Sequence, residues 1–118
     1  KIPVPDVEVQ GCADDADLLI VGFGGTYGHL YSAMEEMNKA GKKVALAHFT
    51  YLNPLPKNTE TVLKKYKKVV VAEQNLGQFA SYLRMKIDNF TPYQFNEVKG
   101  QPFVVAELVA AFNKLIDN

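Results

Sequence analysis

Residues 69–78 read V-V-V-A-E-Q-N-L-G-Q, and this stretch decides the fold class that the sequence predicts. It begins as a continuous apolar run of mainly β-branched residues, which is typical of a strand buried on both faces of a sheet. It becomes polar at Glu73, and Gly77 then permits a tight turn. Apolar residues afterwards recur at helical spacing, at Leu76, Phe79, Leu83 and Ile87. A buried strand that leads into a helix is a βα unit, so the stretch predicts an α/β fold.

Four polar residues mark the carboxyl end of this predicted strand: Glu73, Gln74, Asn75 and Gln78. In open α/β sheets, ligands and partners bind at the carboxyl ends of the strands. We therefore predict that these side chains contribute to an interface. Glu73 is also a candidate acid or base, although no companion residue for such chemistry is identifiable. The alternative, equally consistent with these residues, is that they only cap the following helix.

Two further apolar runs predict strands of the same sheet. Residues 17–23 read D-L-L-I-V-G-F, and residues 43–49 read K-V-A-L-A-H-F. Apolar residues at helical spacing predict a helix between them, and Gly41 lies where a helix C-cap glycine is expected. A β-loop-α-β unit of this kind places its two strands parallel.

The beginning of the chain differs in character from the rest. Residues 1–15 include Pro3 and Pro5, which cannot donate hydrogen bonds to a sheet, and we interpret them as a linker with a possible short edge strand. Residues 16–118 then form the predicted domain. The chain starts at Lys1 rather than at methionine, so we expect it to be a fragment of a longer polypeptide.

The remaining elements are predicted from local patterns. Asn58 is a candidate N-cap for a short helix that extends to about residue 66. Residues 94–98 alternate weakly and are predicted as a further edge strand. The final helix has the cleanest amphipathic pattern of the chain. Its apolar face consists of Val105, Leu108, Val109, Phe112, Leu115 and Ile116.

The composition is that of one ordinary globular domain. The 118 residues are 47% apolar and 22% charged, and 13 basic residues balance 13 acidic ones. This balance argues against nucleic acid as a partner, because domains that bind nucleic acid are usually basic. No apolar run is long enough to span a bilayer and no signal-peptide pattern is present, so we expect no membrane contact and a cytoplasmic location.

A glycine-rich loop, G-F-G-G-T-Y-G at residues 22–28, lies between the first predicted strand and its helix. Backbone N–H groups at a helix N-terminus attract anions, and glycines allow close approach. The candidates for contact with an anion or a partner side chain are Gly24, Gly25, Thr26 and Gly28. A dinucleotide is disfavoured, because tyrosine replaces the final glycine of the fingerprint and no acid ends the second strand. A purely structural turn is the remaining alternative.

No catalytic or metal-binding residue is identified from the sequence. His29 and His48 are far apart and are interpreted as structural, and the lone Cys12 has no histidine base nearby. Four lysines cluster at the end of the predicted short helix, where cations interact favourably with the helix dipole. We interpret them as a solvated helix end, with docking of an acidic partner as the alternative: Lys64, Lys65, Lys67 and Lys68.

Three motifs in this order resemble a known family. They are G-F-G-G-T-Y-G at 22–28, L-N-P-L-P at 52–56 and V-V-A-E-Q-N-L-G-Q at 70–78, and K-G-Q-P-F at 99–103 also fits. Together they resemble the C-terminal domain of the alpha subunit of 2-oxoacid:ferredoxin oxidoreductases, most closely the 2-oxoglutarate branch. The resemblance extends over nearly the whole chain, from about Ala16 to Phe112. Gly25 departs from it, because related sequences often have serine there.

The resemblance implies a transketolase C-terminal-like domain. This is a three-layer α/β/α sandwich with a mostly parallel sheet and an antiparallel edge strand. The enzyme of such a family converts 2-oxoglutarate to succinyl-CoA with coenzyme A and reduces ferredoxin. Thiamine diphosphate, Mg and an iron–sulfur cluster are expected elsewhere in the complex, and none of them is expected to be bound by this domain.

The role implied for the domain itself is assembly with the rest of the alpha subunit and with the beta subunit, rather than direct chemistry. Two alternatives stay open. One is a stand-alone anion- or nucleotide-binding module that uses the loop from Gly24 to Gly28. The other is the same domain of a pyruvate-specific homologue.

Overall fold

The computed structural model describes residues 6–23, 26–49, 55–73, 78–96 and 103–117, and the structural statements below concern these residues. Strands and helices alternate along most of the chain. In order they are β1 (Val9–Gly11), β2 (Leu18–Phe23), α1 (Tyr27–Lys39), β3 (Val44–Phe49), α2 (Thr59–Lys65), β4 (Val69–Glu73), α3 (Gln78–Lys86), β5 (Tyr93–Asn96) and α4 (Val105–Asp117).

The described strands form one sheet in the order β1-β3-β2-β4-β5. Strands β2, β3, β4 and β5 pair in parallel, and β1 pairs antiparallel with β3 at one edge. The predicted α/β fold with a mostly parallel sheet and an antiparallel edge strand is therefore confirmed. The possible edge strand within residues 1–15 is β1, which is hydrogen-bonded to β3.

The helices cover both faces of the sheet and make three layers. Leu18 and Ile20 of β2 pack with α1 and α4 on one face, whereas Leu19 and Val21 pack with α2 and α3 on the other. All four of these side chains are fully buried. Because both faces of β2 lie against helices, every position of the strand is apolar rather than every second one.

Strand β5 (Tyr93–Asn96) begins one residue before the predicted start at residue 94. Its predicted end is not tested, because residues 97 and 98 lie outside the described part of the chain. Its weak pattern has a structural reason, because β5 is an edge strand with mainly exposed side chains. Phe95 is an exception, since its ring packs against Phe103 and Phe112.

The turn after α1 confirms the role predicted for Gly41. This residue has a φ of +94°, a conformation that side chains with a Cβ rarely adopt. The amide of Gly41 donates to the carbonyl of Asn38 at 3.1 Å, and the amide of Lys42 donates to the carbonyl of Met37 at 3.0 Å. These two bonds form a Schellman motif, which satisfies carbonyls at the helix end.

The prediction that Asn58 is the N-cap residue of α2 is confirmed, although its side chain makes no capping hydrogen bond. Its Oδ1 instead accepts from the amide of Val7 and its Nδ2 donates to the carbonyl of Val7, both at 2.9 Å. Asn58 therefore attaches the N-terminal segment to the start of α2, through a contact 51 positions away in sequence.

Replacing Asn58 by alanine is expected to lower the free energy of unfolding by about 1–2 kcal/mol, because it leaves both polar groups of the buried Val7 backbone without a partner. Urea denaturation measures this change. Asn96→Ala is the matched control, since the Asn96 side chain is exposed and its amide hydrogen-bonds the exposed side chain of Gln94. Equal stability of the two variants would contradict the importance of the Val7 attachment.

Candidate functional site

The carboxyl ends of the four parallel strands define one edge of the sheet, which we call the carboxyl edge. Its last strand residues are Phe23, Phe49, Glu73 and Asn96. The motif segments 24–25, 50–54, 74–77 and 97–102 follow these residues directly in sequence and lie outside the described part of the chain. The parallel topology therefore makes all of these motif segments begin at the same edge, where α/β sheets usually bind ligands and partners.

Glu73 is the buried polar centre of this edge. Its side chain is only 4% exposed. Oε1 accepts a hydrogen bond from the amide of Phe79 at 2.8 Å, and Oε2 accepts one from the amide of Ala80 at 2.9 Å. A negative carboxylate at the N-terminus of α3 also interacts favourably with the helix dipole. Of the interpretations left open for Glu73, these hydrogen bonds support helix capping.

The capping contact has a chemical consequence for ligand binding. The first amides of a helix attract phosphates and carboxylates. In α3, two of these amides already bind the carboxylate oxygens of Glu73. The Glu73 carboxylate therefore occupies the N-terminus of α3 and competes with any external anion for these two amides. The other candidates of this motif are not described here, because Gln74 and Asn75 lie outside the described residues and only the backbone of Gln78 is placed.

The glycine-rich loop is described only in part. Gly24 and Gly25 lie outside the described residues. Thr26 is 5% exposed, and its hydroxyl donates to the carbonyl of Phe23 at 3.3 Å, which gives this side chain a structural partner. Gly28 lies in the first turn of α1, where an added Cβ would meet nothing within 4 Å.

Aromatic residues beside this loop form a cluster that the sequence analysis did not identify. The Tyr27 ring stacks on Tyr31 with 5.7 Å between centroids and forms a T-shaped pair with His48 at a centroid distance of 5.2 Å. The Tyr27 hydroxyl donates to Oε1 of Gln10 at 2.9 Å. A hydrogen bond to Glu35 and its negative charge raise the pKa of Tyr31. The spacing of the two tyrosines indicates stacking on a helix, but the contacts to β1 and β3 require the tertiary fold.

The lysines at the end of α2 and just after it are not all solvated. Nζ of Lys68 donates to the carbonyls of Leu115 at 2.6 Å and Ile116 at 3.1 Å, so this lysine binds the C-terminal turn of α4. A positive charge there is favourable for the dipole of α4 rather than that of α2. Lys64 pairs with Glu60 at 2.9 Å within α2. Docking of an acidic partner at these lysines stays a prediction.

Tyr66 forms a hydrogen bond with the segment that precedes β2. Its hydroxyl donates to the carbonyl of Ala13. Burial of the ring and the nearby charge of Asp14 raise the pKa of Tyr66. Both Tyr66 and Lys68 therefore connect the start of β4 to segments that are distant in sequence.

The histidines and the cysteine show no ligand set within the described part of the chain. No group of three or more His, Cys, Asp or Glu residues there could hold a metal ion. The thiol of Cys12 lies 3.7 Å from Oδ1 of Asn38, with which it makes a weak hydrogen bond. None of the helices found among the described residues has the length and apolarity that crossing a membrane requires.

The sequence matches a known protein family, described as pyruvate:ferredoxin oxidoreductase core domain II, over residues 16–107. It is 44% identical over 109 residues to the 2-oxoglutarate oxidoreductase subunit KorA of Mycobacterium tuberculosis, which covers 91% of this chain and 16% of that protein. It is 27% identical over 119 residues to subunit alpha of 2-oxoacid:ferredoxin oxidoreductase 2 of Aeropyrum pernix, which covers 99% of this chain and 18% of that protein. The chain thus spans less than a fifth of either relative.

Two solved structures resemble the fold. A 2-oxoglutarate:ferredoxin oxidoreductase from Magnetococcus marinus, with 2-oxoglutarate, coenzyme A and succinyl-CoA bound, matches with a TM-score of 0.87 and 28% identity over 96% of this chain and 20% of that chain. A split gene transketolase, an inactive beta4 tetramer, matches with a TM-score of 0.69 over 93% of this chain and 41% of that chain. At 16% identity the transketolase match shows the fold alone.

Proposed function

Because this chain belongs to the pyruvate:ferredoxin oxidoreductase core domain II family, we propose that it is one domain of the alpha subunit of a 2-oxoglutarate:ferredoxin oxidoreductase. The relative from M. tuberculosis supports 2-oxoglutarate rather than pyruvate as the substrate, since 44% identity extends over 91% of the chain. The whole enzyme would oxidatively decarboxylate 2-oxoglutarate to succinyl-CoA and pass the electrons to ferredoxin.

The contribution of this domain to the enzyme would be assembly. The observation that carries this proposal is that β2, β3, β4 and β5 all end at the carboxyl edge, and that the motif segments follow these strand ends in sequence. At or shortly after these strand ends, the sequence has the polar residues Glu73, Gln74, Asn75 and Gln78 and the glycine-rich residues Gly24 to Gly28. Through this edge, the domain would pack against the rest of the alpha subunit and the beta subunit.

The cofactors of the reaction would be held by other domains of the complex. Thiamine diphosphate supplies the electron sink that decarboxylation of a 2-oxoacid requires. The N-terminus of α3 does not fit its diphosphate, because Glu73 already binds two of the helix amides and would repel a second anion. More than four fifths of each matched relative lies outside the region that this chain covers, which leaves ample chain for the cofactor sites.

An activity assay tests the proposed function. The complete alpha subunit, co-expressed with its beta subunit, should reduce ferredoxin only when a 2-oxoacid and coenzyme A are both present. The ratio of kcat to KM should be higher for 2-oxoglutarate than for pyruvate. The opposite preference would instead assign the domain to a pyruvate-specific homologue, and no reduction with either acid would contradict the proposed function.

The binding-module alternative makes a separate prediction. Coenzyme A, an adenine nucleotide or phosphate would raise the melting temperature of the chain, since a ligand that binds the folded state stabilises it. Gly24→Val would abolish the increase. We expect no increase with any of these three ligands, and a saturable one would favour the module over the assembly domain.

A further inference from the structure

Two neighbouring cavities lie near the amino ends of β4 and β5, away from the carboxyl edge. One has a volume of about 400 Å³ and its lining includes Lys67 and Pro92, and the other has a volume of about 480 Å³ and its lining includes Arg84. The cavities adjoin along residues 89–91, which line both of them. We call the two cavities together the amino-edge groove, and all of its lining residues belong to the described part of the chain.

The segment shared by the two cavities combines apolar and polar groups. Asn89 has a φ of +59°, a left-handed conformation that asparagine adopts more readily than most residues, and it lies between α3 and β5. Phe90 follows with only 7% of its surface exposed, whereas the side chains of Asn89 and Thr91 are exposed. The segment therefore offers hydrogen-bonding side chains to an extended chain, beside a largely buried ring.

The charge around the groove is mainly positive. Lys64 and Lys67 line one cavity and Arg84 lines the other, against a single acidic lining residue, Asp88. Within the described part of the chain, Lys67 and Arg84 form neither an ion pair nor a side-chain hydrogen bond. Because the whole chain has 13 basic and 13 acidic residues, this positive excess is local.

The end of α2 and its ion pairs explain two neighbouring lysines but not Lys67. Nζ of Lys64 lies 2.9 Å from a carboxylate oxygen of Glu60, and Nζ of Lys65 lies 3.9 Å from one of Asp14. Lys67 lies beyond the last helical residue of α2 and has no such acid. It is therefore a positive charge beside a cavity, and a carboxylate is a group that it would bind favourably.

We propose that the amino-edge groove binds an acidic, extended segment of a protein outside the enzyme, whose carboxylates pair with Lys67 and Arg84. Charge complementarity selects this occupant, because opposite charges across an interface favour the encounter and disfavour wrong partners. The proposal rests on the proposed function in one respect, since assembly through the carboxyl edge leaves the amino-edge groove open. For the same reason the segment belongs to a separate protein rather than to another part of the enzyme.

The test titrates dye-labelled hexaglutamate with the complete alpha and beta subunits and follows fluorescence anisotropy. Lys67→Glu and Arg84→Glu should each weaken binding roughly fivefold or more, because repulsion replaces an attraction. Lys67→Gln should give a smaller loss, and it remains informative if a charge reversal fails to fold. Lys57→Glu is the matched control, since it changes the net charge equally but lies before α2, at the other end of that helix. Its affinity should stay within roughly twofold, because salt screens distant charges.

Two further titrations identify the chemistry of the occupant. Raising the NaCl concentration from about 0.05 M to about 0.5 M should weaken hexaglutamate binding roughly tenfold, and hexaglutamine should not bind. An oligouridylate of the same charge should bind more weakly than hexaglutamate. Its bases would find no exposed ring on which to stack, because the rings that line the groove, those of Tyr66 and Phe90, are buried.

The proposal fails if the complete enzyme does not bind hexaglutamate, or if it binds hexaglutamine equally well. Tighter binding of the oligouridylate would assign the groove to a nucleic acid instead. Equal affinities of Lys67→Glu, Arg84→Glu and Lys57→Glu would place the bound peptide elsewhere and would also overturn the proposal. The titration requires no turnover, so it decides the role of the groove whether or not the enzyme oxidises a 2-oxoacid.

Discussion

Replacing Phe112 by alanine is expected to lower the free energy of unfolding by about 3–5 kcal/mol. Phe112 is fully buried, and its ring forms a T-shaped pair with the Phe95 ring, with 6.1 Å between centroids. It also belongs to the apolar cluster in which α4 packs with α1 and the sheet. Truncation would leave a cavity that these elements can fill only in part, because each is held by other contacts.

Urea denaturation of Phe112→Ala measures this loss. Val104→Ala is the control, since Val104 lies just before α4 and is 47% exposed. Its free energy of unfolding should change by less than about 0.5 kcal/mol. A loss below about 1 kcal/mol in Phe112→Ala would contradict the position of α4 in the structure.

Replacing Gly11 by alanine is expected to cost about 2–4 kcal/mol for two independent reasons. Gly11 has a φ of +83°, which strains any residue with a Cβ. An added Cβ would also lie 2.6 Å from the carbonyl oxygen of Val44 and 2.6 Å from Sδ of Met34. The Met34 side chain can shift, but the Val44 carbonyl belongs to β3 and cannot move without disturbing the sheet.

Gly28→Ala provides the matched control for Gly11→Ala. An alanine Cβ at Gly28 would meet no atom within 4 Å, and the residue lies in α1. Because alanine favours the helix over glycine, the control should be neutral or stabilising by up to about 1 kcal/mol. Thermal unfolding distinguishes the two variants, and equal melting temperatures would contradict the described packing of β1.

The fold was predictable because its decisive signals are local. The runs that became β2 and β4 are apolar at successive positions, which is what burial on both sides of a parallel sheet requires. Gly41 marked the end of α1 correctly for an equally local reason, since the left-handed conformation favours glycine. The resemblance to the oxidoreductase family, which rested on ordered motifs, is confirmed by the family match over residues 16–107.

The contacts at the ends of the elements were not predictable in the same way. Asn58 bonds a residue 51 positions away, and Lys68 bonds carbonyls 47 and 48 positions away. Local propensity assigns both residues to the ends of α2, because a polar side chain there has an obvious nearby partner. In the folded chain, each of these side chains instead hydrogen-bonds backbone groups that are distant in sequence. For Glu73, helix capping was one of the predicted alternatives, but its two hydrogen bonds to amides six and seven positions along the chain were not predicted.

The central claim is that the chain contacts the rest of its enzyme through the carboxyl edge, and hydroxyl-radical footprinting of two tyrosines tests it most directly. Tyr27 begins α1 beside this edge and is 38% exposed, whereas Tyr93 begins β5 at the opposite edge and is 45% exposed. Because hydroxyl radicals modify both tyrosine rings by the same reaction, the modification rate of each ring is an internal standard for that of the other.

The measurement compares the modification rate of each tyrosine in the chain expressed alone and in the complete enzyme. The account predicts that Tyr27 is modified much more slowly in the enzyme, whereas the rate at Tyr93 stays nearly the same. An unchanged rate at Tyr27, or protection of Tyr93 alone, would contradict the claim that the carboxyl edge is the assembly surface.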